Sequence, residues 1–414
     1  IVSNVLAGMS IFDGVGPTDT HLSLLPLCHI LERMGGLYVM LHTGATIAYA
    51  ESNEAVPANM QEVRPTLMIA VPRFFEKVYA RVQEKVANDP PARQRIFRWA
   101  LGVGRAYFAH QVARTSPGIG LRLKHALASK LVFTKVKERT GGRLRLFVSG
   151  GAPLGRELAE FFGAVGLLVL EGYGLTETSP VIAVNLPDAM RPGTVGKPLP
   201  GVEVKIAPDG EILARGPNVM KGYYNQPEAA AEVIEPDGWF HTGDVGVLDA
   251  DGYITITDRK KDILVTSAGK NIAPQPIENR LKSNPFVAEV VMVGNKRHFP
   301  AALLVPSFER LEKWAAERGV SFQSREELIG RAEVIAHYQG LVDQLSDELA
   351  KFERIKRIRL LAKEFSIEAG ELTPTLKVKR RVIEQKYKTL IDEIYAEATA
   401  AEKVPEPARL MRDA

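Results

Sequence analysis

The feature that most restricts the fold is a pair of short apolar runs, close together, each ending in a glycine-bearing segment. Leu144–Val148 runs into Ser149-Gly150-Gly151-Ala152-Pro153, followed by a helical pattern over Leu154–Val165. Leu167–Leu170 then runs into Glu171-Gly172-Tyr173-Gly174-Leu175-Thr176-Glu177-Thr178-Ser179-Pro180. Buried strand, glycine turn, helix, buried strand is the order of an α/β layer, and in such sheets ligands bind at the carboxyl ends of the strands. Glycine lets a backbone come within contact distance of a flat or anionic group. Tyr173 then offers a ring to stack on a base, Thr176 a hydroxyl for a phosphate oxygen, and Glu177 a hard carboxylate for Mg²⁺. For either loop alone, a structural turn with a core tyrosine is the better reading. Two such loops so close together favour one shared ligand crevice.

The α/β pattern extends back along the first 170 residues. Helical stretches at Leu31–Leu41, Phe74–Ala87, Ala92–Ala113 and Leu121–Lys137 alternate with β-type runs at His21–Leu25, Ala45–Tyr49, Thr66–Val71 and Arg143–Val148. From Gly193 to Thr257 the character changes to short strands (Val202–Ile206, Glu211–Arg215, Tyr253–Thr257) separated by Pro-Asp-Gly and Asp-Ala-Asp-Gly turns. A third glycine turn lies there, Gly238-Trp239-Phe240-His241-Thr242-Gly243-Asp244. Its Asp244 suits a bond to two ribose hydroxyls, though alone it is an ordinary turn aspartate.

Five consecutive charged residues, Asp258 to Asp262, mark a boundary. Beyond it the spacing predicts a helix over Pro276–Lys282, strands over Ala288–Val293 and Ala301–Val305, and helices over Ser307–Arg318 and Arg325–Phe352. A strand at Arg357–Leu361 and a helix from about Lys379 to Thr399 complete the pattern, ahead of a fraying tail with Pro405 and Pro407. The expected architecture is an α/β large domain over 1–257, with a small antiparallel β subdomain at 193–257. A hinge at 258–262, a compact α+β C-terminal lid domain over 263–400 and a tail at 401–414 follow.

Composition removes several function classes. The chain has 414 residues, with 53 Lys and Arg against 49 Asp and Glu, so its net charge of +4 gives no warrant for nucleic acid. The basic amphipathic region from Arg93 to Lys137 reads first as a solvated helical face, and second as a peripheral contact with an anionic membrane surface. No segment approaches the ~20 apolar residues that span a bilayer. The single cysteine, Cys28, excludes an internal disulfide framework and fits a reducing cytoplasm. Beside His29 it lacks a third, orienting group, so it reads as a small buried residue rather than a nucleophile. The eight histidines show no metal-ligand spacing. Ser267-Ala268-Gly269-Lys270-Asn271 lacks the first glycine and the final Ser/Thr of a phosphate-binding P-loop, and neither βα turn has the dinucleotide form Gly-x-Gly-x-x-Gly.

Four blocks occur together in order: Gly172–Glu177, Gly238–Asp244, Asp258–Asp262 and Leu372-Thr373-Pro374-Thr375-Leu376-Lys377-Val378-Lys379-Arg380. In this the chain resembles the adenylate-forming superfamily of acyl-CoA synthetases, luciferases and peptide-synthetase adenylation domains. Leu25–Arg33 and Val71–Tyr79 are similar to its long-chain fatty acyl-CoA synthetase branch. The resemblance implies that Gly150, Gly151, Ala152 and Pro153 lie against one face of adenine, with Tyr173, flanked by Gly172 and Gly174, on the other. It further implies that Thr176 binds the α-phosphate, Glu177 holds Mg²⁺, and Asp244 and Arg259 grip the ribose. Lys377 would reach the reacting carboxylate and phosphate, and His29 would sit beside the acyl group. Gly269, Lys270 and Asn271 would line the entry of coenzyme A, and Lys261 would be the hinge. The implied chemistry joins a fatty acid to ATP as an acyl adenylate, releasing pyrophosphate, and then transfers the acyl group to coenzyme A with loss of AMP. An aryl- or medium-chain acyl-CoA ligase and a nucleotide-binding pseudoenzyme remain the alternatives. The superfamily's Thr-Ser-Gly-Thr-Thr-Gly-x-Pro-Lys-Gly phosphate loop would fall upstream of Ile1, so the chain reads as lacking an N-terminal part of that family. The pattern sets neither an acyl-chain length nor an oligomeric state.

Overall fold

The computed structural model describes residues 1–12, 14–373 and 377–402. Pro374, Thr375 and Leu376 of the lysine-bearing block, and the tail from 403 onward, lie outside them. The chain divides into two compact units, Ile1–Lys260 and Lys261–Ala414.

The first unit is built on a seven-stranded sheet. Its strands are β1 (Thr20–Ser23), β2 (Thr46–Tyr49), β3 (Leu67–Ala70), β4 (Leu146–Ser149), β5 (Leu168–Gly174), β6 (Val181–Val184) and β7 (Lys197–Pro198), in the spatial order β2-β1-β3-β4-β5-β6-β7. The first five run parallel, with Leu67 opposite Leu146 and Leu146 opposite Leu168, and β6 and β7 return antiparallel. All four residues of β3 are buried, the unbroken apolar run expected of a parallel strand covered on both faces. Helices Pro72–Asn88, Pro91–Val112 and Arg156–Ala164 lie on one side of this sheet. Phe75, Phe97, Phe147, Phe161 and Phe162 fill the layer between, with ring pairs such as Phe75–Phe147 meeting edge to face at 5.2 Å.

The helix expected over Leu31–Leu41 forms, but as a wide π-turn from Glu32 to Tyr38 followed by an α-turn from Val39 to Thr43. Two glycines permit it. A methyl on Gly35 would stand 2.6 Å from Ile69 of β3, and one on Gly36 would stand 2.1 Å from the Glu32 carboxylate. Glu32 itself meets His21 of β1 at 2.8 Å with both side chains fully buried. The sequence reading missed the Val56–Val63 helix and β6.

A four-stranded antiparallel sheet completes the unit: β8 (Glu203–Ile206), β9 (Glu211–Arg215), β10 (Phe240–Leu248) and β11 (Ile254–Arg259), ordered β11-β10-β9-β8.

The second unit starts with a two-stranded hairpin, β12 (Leu264–Val265) and β13 (Asn271–Ile272). It then carries a three-stranded sheet of β14 (Val287–Val293), β15 (Ala301–Pro306) and β16 (Arg357–Leu360). Every residue of β15 is buried, and Leu311, Leu328, Val334 and Tyr338 pack with it into a separate core. Two expected helices are broken. Arg325–Phe352 is a helix to Gly330, a turn at Arg331, and a second helix over Ala332–Ser346. The final helix is interrupted at Tyr387, between Arg380–Lys386 and Lys388–Glu402. In both places the apolar spacing continues across the interruption, so periodicity alone could not reveal it. No described helix is long and apolar enough to cross a membrane.

Candidate functional site

The parallel strands of the first unit end along one edge, and His29, the 149–153 turn and Tyr173 follow or close β1, β4 and β5 there. The 149–153 turn is tied to its neighbours: the Gly150 N–H donates to the carbonyl of Ala70, the last residue of β3, at 3.2 Å. A methyl on Gly150 would come within 3.2 Å of Leu31, two residues past His29. Gly151 has φ +82°, a left-handed conformation that glycine adopts without penalty. His29 is half-buried; desolvation lowers its pKa against the pull of Glu32. Cys28, expected to be buried, is exposed.

Sequence reasoning missed Glu171. It is buried, and its carboxyl accepts a 2.8 Å bond from the Leu154 N–H, binding the end of the 149–153 turn to β5. Burial outweighs that bond and pushes its pKa up to about 8, so the group is largely neutral at pH 7. The one available signal was an acidic residue closing an otherwise apolar strand.

The segment after Leu170 differs from the expected loop. Glu171 to Gly174 continue β5 and pair antiparallel with β6, Gly172 opposite Val184 and Tyr173 opposite Ala183. Here glycine marks close approach rather than a turn, since a methyl on Gly174 would lie 1.7 Å from Pro180 O. The turn comes later, as a single 3₁₀ turn over Thr176–Thr178. Thr176 is exposed on it. Glu177 accepts a 3.1 Å bond from the Tyr223 hydroxyl, and its carbonyl accepts from the Met220 N–H at 2.7 Å.

Tyr173 is buried beside Ile182, Ala183 and Val184, and its hydroxyl donates to Asp244 Oδ2 at 2.9 Å. Burial and the facing carboxylate hold that phenol protonated. The other Asp244 oxygen, Oδ1, meets Arg259 Nε at 3.0 Å. Tyr173, Asp244 and Arg259, far apart in sequence, therefore form one polar chain.

Asp244 also departs from expectation: it lies within β10, and the turn ends at Gly238. The glycine before it, Gly243, has φ +69° and sits where β10 loses register with β9. Glu211 of β9 fixes this bulge. Its Oε1 accepts from the Gly243 N–H at 2.8 Å, while Oε2 meets His241 Nδ1 and Lys260 Nζ, each at 3.0 Å. Burial works to raise the Glu211 pKa, but these donors together hold it below the usual carboxylate value. Lys260 also pairs with Asp209 at 2.6 Å, and its N–H donates to Gly243 O at 2.8 Å.

The remaining predicted residues are in the second unit. Lys261 is its exposed first residue. Gly269, at φ +73°, and Lys270 form the exposed tip of the β12–β13 hairpin, and Asn271 begins β13. Lys377 is half-buried, and its backbone exchanges bonds with Thr373: Lys377 N–H to Oγ1 at 3.0 Å, and Thr373 N–H to Lys377 O at 2.8 Å. Just beyond, Arg380 Nη2 donates to both Glu278 oxygens, at 2.7 and 2.9 Å, and anchors the segment to the Pro274–Lys282 helix. Among the described residues no group of three or more His, Cys, Asp or Glu is arranged to hold a metal ion.

Comparison with known proteins agrees with this arrangement. The family model of AMP-binding enzymes matches residues 1–224, and that of the AMP-binding enzyme C-terminal domain matches 261–399. A long-chain-fatty-acid–CoA ligase of Mycobacterium bovis is 38% identical over 375 residues, 90% of this chain and 62% of that protein. Long chain acyl-CoA synthetase 1 of Arabidopsis thaliana is 34% identical, over 95% of this chain and 62% of its own length. The chain thus spans about three fifths of these relatives. Among solved structures, the A domain of a carboxylic acid reductase from Segniliparus rugosus, in complex with AMP and a co-purified carboxylic acid, has the same fold. It superposes with a TM-score of 0.70 at 21% identity, covering 95% of this chain and 57% of that one. With both family models matched and the glycine turns, the Tyr173–Asp244–Arg259 chain and the separate lysine-bearing unit in place, this protein belongs to the AMP-binding enzyme family.

Proposed function

We propose that the protein takes part in ATP-dependent activation of a long-chain fatty acid, forming an acyl adenylate and passing the acyl group to coenzyme A. The observation that carries this reading is the polar chain Tyr173–Asp244–Arg259 beside the 149–153 turn. It offers two charged groups for a ribose next to a backbone that can lie against a flat base. The identity to long-chain-fatty-acid–CoA ligases supports the choice of acid.

A fatty carboxylate is a poor electrophile. Its oxygen attacks the α-phosphorus of ATP, the bond to the bridging oxygen of pyrophosphate breaks, and the mixed anhydride forms. Thiol attack on its carbonyl carbon then gives the thioester and AMP. The first step brings anions together, so positive charge must meet them where negative charge develops. Lys377 is assigned that role and Thr176 a hydrogen bond to the α-phosphate. His29, with its pKa lowered, is a neutral neighbour for the acyl group. Mg²⁺ would be held by Glu177 together with substrate phosphates and water, and would supply charge neutralisation. One protein carboxylate fits its usual habit, and Glu177 already carries a hydrogen bond that orients it. Gly269 and Lys270, at an exposed hairpin tip, are assigned to the path of coenzyme A. Lys261 is assigned to the hinge on which the second unit turns between the two steps.

Two assays test the reading. Exchange of labelled pyrophosphate into ATP is expected with long-chain acids and not with benzoate; exchange driven only by benzoate would replace the fatty acid with an aryl acid. Lys377→Ala is expected to cut adenylation by roughly 10²–10³ while sparing thiolysis of supplied acyl adenylate. Equal loss of both steps would reject the division of labour.

A further inference from the structure

Charge in this chain is concentrated in a way its total conceals. From Pro90 to Lys137 there are ten Lys and Arg and no Asp or Glu, whereas the rest of the chain carries 43 Lys and Arg against 49 Asp and Glu. The structure folds this stretch into two packed helices, Pro91–Val112 and Ile119–Ala128, the second continued by wide and regular turns to Glu138. Tyr107 stacks on His125 at 3.8 Å between them. Their inner faces are fully employed: Phe97, Val103, Ala128 and Phe133 belong to the core.

The outer face is apolar as well as basic. Ile119, Leu123, Leu127 and Leu131, spaced by four residues, are 78%, 68%, 50% and 44% exposed. Arg122, Lys124 and Lys130 are exposed beside them and form no ion pair among the described residues. On the neighbouring helix Trp99 is also exposed. Solvated helices rarely present a stripe of large aliphatics without a partner. We infer that this face is an interfacial surface that docks on an anionic lipid bilayer, its leucines entering the headgroup boundary and its cations meeting lipid phosphates.

The chemistry chooses among occupants. A second copy of the same face would set Arg122, Lys124 and Lys130 against like charges. A nucleic acid would satisfy the cations but give the leucines nothing to bury against. An anionic bilayer satisfies both sets at once. This inference stands apart from the ligase reading, because it concerns binding without ATP, acid or coenzyme A.

The test is co-flotation of the 414-residue chain with vesicles of phosphatidylcholine alone or with three parts in ten phosphatidylglycerol. Flotation is expected only with the anionic vesicles, falling as salt is raised. Arg122→Ser/Lys124→Ser/Lys130→Ser should weaken partitioning roughly 100-fold. Leu123→Ser/Leu127→Ser should weaken it about 10-fold or more, with circular dichroism unchanged because both side chains face solvent. Failure of the unaltered chain to float with anionic vesicles overturns the proposal. So does a leucine variant that floats like the unaltered chain while both bind heparin equally, which would make the face a plain polyanion site.

Discussion

Glu171 shows what a single buried carboxyl does to the whole chain's response to pH. Its pKa rises from 4.5 to about 8 because its surroundings cannot solvate a charge. Between those limits the folded chain keeps a proton that the unfolded chain has lost. This group therefore makes stability fall as pH rises through that window, by at most about 1.4 kcal/mol per pH unit, and the loss levels off above pH 8. Glu171→Gln keeps an acceptor for the Leu154 N–H and removes the titration. Urea unfolding of both proteins at pH 5, 6.5 and 8 should give a gap that changes steadily in the variant's favour; parallel curves would mean that Glu171 is ionised in the fold. The partners of this residue and of Glu211 were not legible in the sequence. Each acts through a backbone N–H distant along the chain, and no local spacing encodes that.

At the scale of elements, the sequence reading succeeded where apolar runs were long and ended sharply. Strands β1 to β4, the long helices after β3 and the β14–β15 pair all come from such runs. It failed where glycine had two meanings. Gly151 turns the chain, as expected, but Gly174 sits in a strand because β5 and the segment after Ser179 pass too closely for any side chain. This contrast yields a prediction. Gly174→Ala must move backbone and should cost about 3 kcal/mol or more, whereas Gly150→Ala meets only the flexible end of Leu31 and should cost about 1 kcal/mol or less. Thermal unfolding of the two variants side by side checks it, and comparable losses would show that β5 and β6 can separate cheaply. Cys28 failed for a related reason: residue type suggested burial, and only its place on the exposed turn after β1 decided otherwise.

At the scale of the molecule, the run of five charges from Asp258 to Asp262 spans the division between Lys260 and Lys261. Within it Lys260 and Lys261 are exposed, whereas Asp258 is buried at the end of β11. The second unit has its own core around β15, with Val334 and Tyr338 fully buried. Residues 261–402 alone are therefore expected to melt cooperatively with sharp near-ultraviolet circular dichroism; a gradual melt with strong dye binding would show that this core is incomplete. The anchoring of Lys260 bears on the proposed turning of that unit. Its N–H is bonded into β10 and its ammonium is clamped by Asp209 and Glu211. Any such turning would meet an anchored Lys260 and would be taken up in Lys261, Asp262 and Ile263, the three residues ahead of β12. On the proposed turning, Arg259, one residue behind the anchor, would be insulated from the swing and would keep its hold on Asp244.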